Sequence, residues 1–74
     1  MSFILDQSGM ILVNVLSATA IYVALNNALC VEIDGEPKAL AKYGEHSRAE
    51  EELSNIIHWM NDPDAVCVYR VGVI

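Results

Sequence analysis

Apolar residues come in short runs along the first half of the chain, and turn-forming residues divide them. Residues 2–5 read as a strand, Asp6-Gln7-Ser8-Gly9 as a turn, and residues 10–15 (Met-Ile-Leu-Val-Asn-Val) as the returning strand of a hairpin. Leu16-Ser17-Ala18 bends or breaks the run. Residues 19–25 form a third strand, with Ile21, Val23 and Leu25 on one face and Ala20, Tyr22 and Ala24 on the other. Asn26-Asn27 makes a turn, because asparagine tolerates the left-handed region. Residues 28–33 follow as a fourth strand, in which Leu29, Val31 and Ile33 alternate with Ala28, Cys30 and Glu32. Asp34-Gly35 is the strongest hairpin signal in the chain, since a type I′ turn needs positive φ at both central residues. A fifth strand spans residues 37–43, with Lys38, Leu40 and Lys42 on one face and Ala39, Ala41 and Tyr43 on the other. Pro37 has no N–H to give a ladder, which places this strand at an edge.

The period then changes. Ala49, Leu53, Ile56, Ile57 and Met60 recur at helical spacing and predict one amphipathic helix. Ser47-Arg48-Ala49-Glu50 has the spacing of a capping box, which puts Glu50, Glu51 and Glu52 in the first turn, where the macrodipole favours negative charge. Pro63 stops the helix near Asn61. Val66, Val68, Val71 and Val73 mark a last strand over residues 65–74, or at least over its first half. These elements predict one α+β domain over residues 1–74: a small antiparallel sheet of five to six strands, packed by one helix in the C-terminal half and followed by a last strand. No repeat, linker or low-complexity tract interrupts it.

Residues 10–31 carry no charge, and 22 positions could span a bilayer. Asn14, Ser17, Thr19, Asn26 and Asn27 interrupt the run, basic flanks are missing and many positions are β-branched, so strands are expected and a membrane segment is not. No Lys or Arg precedes the run, and no secretory leader is expected. The apolar share is nonetheless 54% and the mean hydropathy +0.35, high for 74 residues. A core this small cannot hide that surface, so apolar area is expected to be covered by another copy or a partner. The lone helix covers one sheet face. The other face, with Ala20, Tyr22, Ala24, Ala28 and Cys30, suits a symmetric sheet-on-sheet dimer. The net charge of −6 excludes a basic surface for duplex nucleic acid or anionic lipid and permits a basic protein partner. Cys30 and Cys67 are the only cysteines. They are expected as reduced, part-buried residues of apolar strands in a cytoplasmic protein.

Candidate chemistry is sparse. His46 precedes the helix and His58 lies on its outer face, so the two cannot share a metal at one-turn spacing. Asp62-Pro63-Asp64 lacks the glycine and terminal glutamate of a calcium loop. The cysteines sit where a thiolate is disfavoured. Phosphate-loop and nucleophile-elbow motifs are absent. No catalytic residue, metal site or cofactor is therefore expected, and the protein is expected not to be an enzyme. Trp59 flanks the helical stripe, where it either pads the core edge or anchors a partner. Tyr22, Cys30, Trp59 and Tyr69 are the candidate residues of an oligomer or partner face.

Leu40-Ala41-Lys42-Tyr43, the polar turn after it, and Ala49, Leu53 and Ile56 or Ile57 resemble a group of small, mostly uncharacterised proteins from phages and mobile elements of Gram-positive bacteria. The opening hairpin, Ile4-Leu5-Asp6-Gln7-Ser8-Gly9 before Ile11-Leu12-Val13-Asn14, is similar too. The resemblance covers most of the chain, its motifs are fold-forming, and Cys67-Val68-Tyr69-Arg70-Val71 departs from the group's Met-Pro ending. It implies phage or mobile-element encoding; together with the sparse chemistry above, the expectation is a non-enzymatic binding module, for which an anti-defence role is one candidate use. The leading expectation is a homo-oligomer, with a host protein as a further partner. One alternative is a sponge for a nucleotide signal, which needs cations converging on phosphate; Arg48 and Arg70 are the candidates, with Lys38 and Lys42. The other is an acidic inhibitor of a host nucleic-acid-binding enzyme, using Glu45, Glu50, Glu51, Glu52, Asp62 and Asp64 as one face.

Overall fold

A computed structural model describes residues 2–72. Its elements are β1 (Phe3–Leu5), β2 (Leu12–Asn14), a 3₁₀ turn (Val15–Ser17), β3 (Ala18–Val23), β4 (Ala28–Ile33), β5 (Glu36–Lys42), α1 (His46–Met60) and β6 (Val68–Arg70). The class is α+β, with one helix and six strands among the described residues. The strands are shared between two sheets, ordered β2-β1-β6 and β3-β4-β5. The division falls at the 3₁₀ turn, where the Asn14 side chain accepts the Leu16 N–H at 3.0 Å and redirects the chain. β1 pairs antiparallel with β2 and parallel with β6.

Local turn chemistry sets both sheets. Asp34 and Gly35 have φ of 53° and 81°, as the type I′ hairpin between β4 and β5 requires. Asn27 adopts φ 65° in the β3–β4 turn. In the β1–β2 turn the Asp6 carboxylate accepts the N–H groups of Met10 and Ile11, each at 3.0 Å, and the Ser8 hydroxyl at 2.9 Å. Burial alone would raise the Asp6 carboxyl, but the bonds from Ile11, Ser8, Met10 and Gly9 outweigh it and hold the pKa below its ordinary value.

β5 does not alternate as its sequence predicts. Leu29 faces Ala41 and Cys30 faces Ala39, so Leu40 is the extra residue of a bulge. Leu40 and Ala41 consequently both lie in the core, together with Tyr43. The bulge frees the Leu40 carbonyl, which accepts the Gln7 N–H at 2.8 Å. The Gln7 side chain takes the Lys42 N–H at 3.2 Å. Through these bonds the β1–β2 turn ties the first sheet to the edge of the second.

β6 is shorter than the predicted strand over residues 65–74. Its partner β1 has three residues, and the ladder ends where β1 does, flanked by Phe3 N–H on Cys67 O and Val71 N–H on Leu5 O. Val73 and Ile74, also expected in that strand, lie outside the described residues. Helix α1 packs on β3 and β4. Its inward face is Ala49, Glu52 and Ile56, whereas Ile57 and Met60 of the predicted stripe are each half exposed. The helix is thus rotated toward a charged residue. The main core joins Ile4, Val13, Leu29, Val31, Leu40, Ala41, Tyr43, Ala49, Ile56 and Val71.

The capping box does not form. The helix starts at His46, its N-cap is Glu45, and no side chain bonds to the first turn. Ser47 therefore lies inside the helix, where its backbone is helical and cannot take the extended geometry of a cap. The same shift removes Glu50, Glu51 and Glu52 from the first turn, which contains no acidic residue.

Candidate functional site

Glu52 is a charged group buried on the inward face of α1, at 2% exposure. Its Oε2 accepts the Gly72 N–H and the Tyr69 hydroxyl, at 2.6 and 3.0 Å. Its Oε1 accepts from Asn55 at 3.3 Å and from the Arg48 guanidinium at 3.4 Å. Burial pushes the Glu52 carboxyl up, yet these four donors reverse the effect and bring it below its ordinary value. Burial, and then the bond to Glu52, hold the Tyr69 hydroxyl protonated far above a normal tyrosine. Burial also raises Tyr43, with the Glu52 charge adding to it.

The Gly72 carbonyl completes the cluster by accepting the Tyr43 hydroxyl at 2.8 Å and Gln7 Nε2 at 3.1 Å. A Cβ at Gly72 would lie 2.8 Å from Arg48 Nη2 and 3.3 Å from Glu52 Oε2, so a larger residue there would displace the end of the Arg48 side chain. Each donor around Glu52 is already engaged. The cluster fastens the segment after β6 to α1.

The second feature is apolar. A groove of about 280 Å³ opens between β3 and α1, lined by Val15, Ala18, Ile21, Leu53, Ile57 and Met60 among others. Leu16, on the 3₁₀ turn that leads into β3, is 83% exposed. The groove exists because β3 is the last strand of its sheet and α1, turned to bury Glu52, leaves Ile57 and Met60 short of the core.

The candidate face residues are dispersed. Tyr22 lies opposite Cys30 on the sheet face away from the helix, as the alternation implies. Cys30 is buried within the single chain, at 8% exposure. Cys67 is exposed and precedes β6, contrary to its expected place inside a strand; both thiols are free. Trp59 is half-buried against the core and Tyr69, with ring centroids 5.4 Å apart, and donates Nε1–H to Val66 O at 2.8 Å. Tyr69 bonds to Glu52.

The cations do not converge. The Arg48 guanidinium sits on Glu52 and 4.8 Å from the centre of the Tyr43 ring, beside a cavity of about 410 Å³ also lined by Gln7, Lys42, Gly44 and Glu45. Arg70 is exposed on β6 and is not among the residues lining that cavity. His46 is the first helical residue rather than preceding the helix. Among the described residues no three His, Cys, Asp or Glu side chains gather as a metal set, and no helix is long and apolar enough to cross a membrane. Residues 10–31 instead hold β2, the 3₁₀ turn, β3 and most of β4.

Glu52 is the residue that sequence reasoning misplaces on an outer acidic face, leaving Glu45, Glu50, Glu51, Asp62 and Asp64 exposed. The signal is present, because Glu52 lies three residues after Ala49 and four before Ile56, on their side of the helix. No family model, curated protein or solved structure matches the chain. The functional reading therefore rests on the geometry.

Proposed function

We propose that this chain is a non-enzymatic binding module that acts as a homo-oligomer, with the groove between β3 and α1 as the contact surface. The observation that carries this reading is the apolar strip of Val15, Ile21, Leu53, Ile57 and Met60 beside an open sheet edge. Among the described residues no further element covers it, and an uncovered strip of this kind marks an association site. The strip bears no charge, so two chains of net charge −6 can meet there without opposing like charges.

The nucleotide-sponge alternative is disfavoured by Arg48, which is held by Glu52 and Tyr43 rather than free for phosphate. The acidic-inhibitor alternative loses Glu52 from its face. Ile57→Glu tests the proposal, since Ile57 is half exposed and a carboxylate there remains solvated in the single chain. Light scattering at micromolar concentration should give a multiple of 8.1 kDa for the parent and 8.1 kDa for the variant, with the same far-UV spectrum. A parent that runs as a monomer would refute the reading.

A further inference from the structure

The two edges of the β3-β4-β5 sheet are built differently. β5 carries Glu36, Pro37, Lys38 and Lys42, and the Gln7 backbone and side chain cover part of it. Charge, proline and a covering segment are the devices that keep an edge strand from pairing with another chain. β3, Ala-Thr-Ala-Ile-Tyr-Val, has no charge, proline or covering segment, and its one irregularity, the extra residue Thr19, precedes the regular stretch from Ala20 to Val23.

Its hydrogen-bonding direction follows from the ladder. The Ala24 N–H bonds to Ala28 O, and Tyr22 lies opposite Cys30 in the same register. Antiparallel alternation then turns the N–H and C=O of Tyr22 toward β4 and those of Ile21 and Val23 toward the open edge. Among the described residues no strand pairs with that edge.

We infer that the occupant of this edge is the β3 strand of a second copy, antiparallel about a two-fold axis near Ile21, so that one sheet runs through both chains. This rests on the homo-oligomer reading and specifies its interface. A second copy fits for three reasons. An antiparallel edge is self-complementary, each chain offering the same donors and acceptors. The register about Ile21 sets Tyr22 of each copy opposite Ala20 of the other, a large side chain against a small one. It also brings the two grooves together, so that Ile57 and Met60 of each chain cover those of its mate. The alternative, sheet face against sheet face, finds less to bury. Cys30 and Ala28 on that face are already buried, and Glu32 and Lys42 share it by register.

Two lysine substitutions at exposed positions separate the interfaces. Ala20 is on the open strand, and Ala39 is on the outer face of β5, opposite Cys30. Ala20→Lys should reduce the mass to that of one chain, whereas Ala39→Lys should leave the dimer intact. In the parent, amide exchange at Ile21 and Val23 should be slowed at least tenfold relative to Ala20→Lys. Far-UV spectra of both variants check that the fold is retained. A parent dimer with freely exchanging Ile21 and Val23 amides, or one dissociated by Ala39→Lys, would overturn edge pairing and leave the oligomer standing. A monomeric parent would overturn both.

Discussion

At the scale of single residues, Glu52 and Asp6 do the same physical work in different places. Each is a carboxylate that collects backbone N–H groups from a segment with no regular partner: Gly72 for Glu52, Met10 and Ile11 for Asp6. Both native carboxyls titrate below their ordinary values of 4.5 and 3.8. A depressed native pKa stabilises the fold above the unfolded value, and this contribution is lost as pH falls through the native one. The urea midpoint should therefore be level from neutral pH down to about pH 5 and fall steadily below that. Glu52→Gln keeps the shape and one acceptor oxygen, so the variant should fold with a shallower acid limb. Glu52→Ala strands the Gly72 N–H and the Tyr69 hydroxyl, at about 1–3 kcal/mol for each. Against the roughly 3–5 kcal/mol that a core of this size supplies, that variant should be largely unfolded at 25 °C. Circular dichroism reads both variants, and an acid limb unchanged in Glu52→Gln would contradict the role given to this carboxylate.

At the scale of elements, α1 begins with an unfilled cap. Glu45 already has the extended backbone of an N-cap, with φ −131° and ψ 142°, but its side chain makes no cap bond. Serine reaches the first-turn amides that glutamate does not, so Glu45→Ser should stabilise the chain by about 1 kcal/mol. Ser47→Ala, inside the helix and exposed, should change stability by less than about 0.5 kcal/mol. Urea midpoints measure both, and the reverse ranking would restore the Ser47 cap.

The contrast shows what was legible in the chain. Asp34-Gly35, Asn26-Asn27 and the existence of α1 follow from local φ preference and periodicity, and each element is present. The bulge at Leu40, the division into two sheets and the parallel seat of β6 depend on partners far away in the chain, and alternation carries no record of them. The rotation of α1 is an intermediate case. A stripe counted from apolar residues alone omits Glu52, whose burial becomes favourable only once Tyr69 and Gly72 arrive to bond it. The apolar excess pointed to association, but the groove beside β3 required knowing which strand ends the sheet.

At the scale of the whole molecule, the two sheets meet through few bonds: Gln7 on the β5 edge, and Glu52, Tyr43 and Gln7 on the segment at Gly72. β6 belongs to the first sheet, yet it is the last strand in sequence among the described residues. Phe3 lies opposite Val68, so nearly the full length of the polypeptide separates partners that touch. The meander of β3, β4 and β5, by contrast, is joined by tight turns. Closing a long loop has an entropic cost that must be met before the contacts it brings can offset it. Folding should accordingly be ordered in time, with the meander and α1 assembled at the barrier and β6 docking on the downhill side. Val68→Ala should speed unfolding while leaving the refolding rate nearly unchanged, a φ-value near zero in stopped-flow fluorescence from Trp59. Val31→Ala, in the central strand of the meander, should slow refolding. Until β6 arrives, the Glu52 carboxylate has neither Gly72 nor Tyr69 and sits in a half-formed interior. The segment that comes last thus acts as a latch, and the fully packed molecule is reached only when it closes.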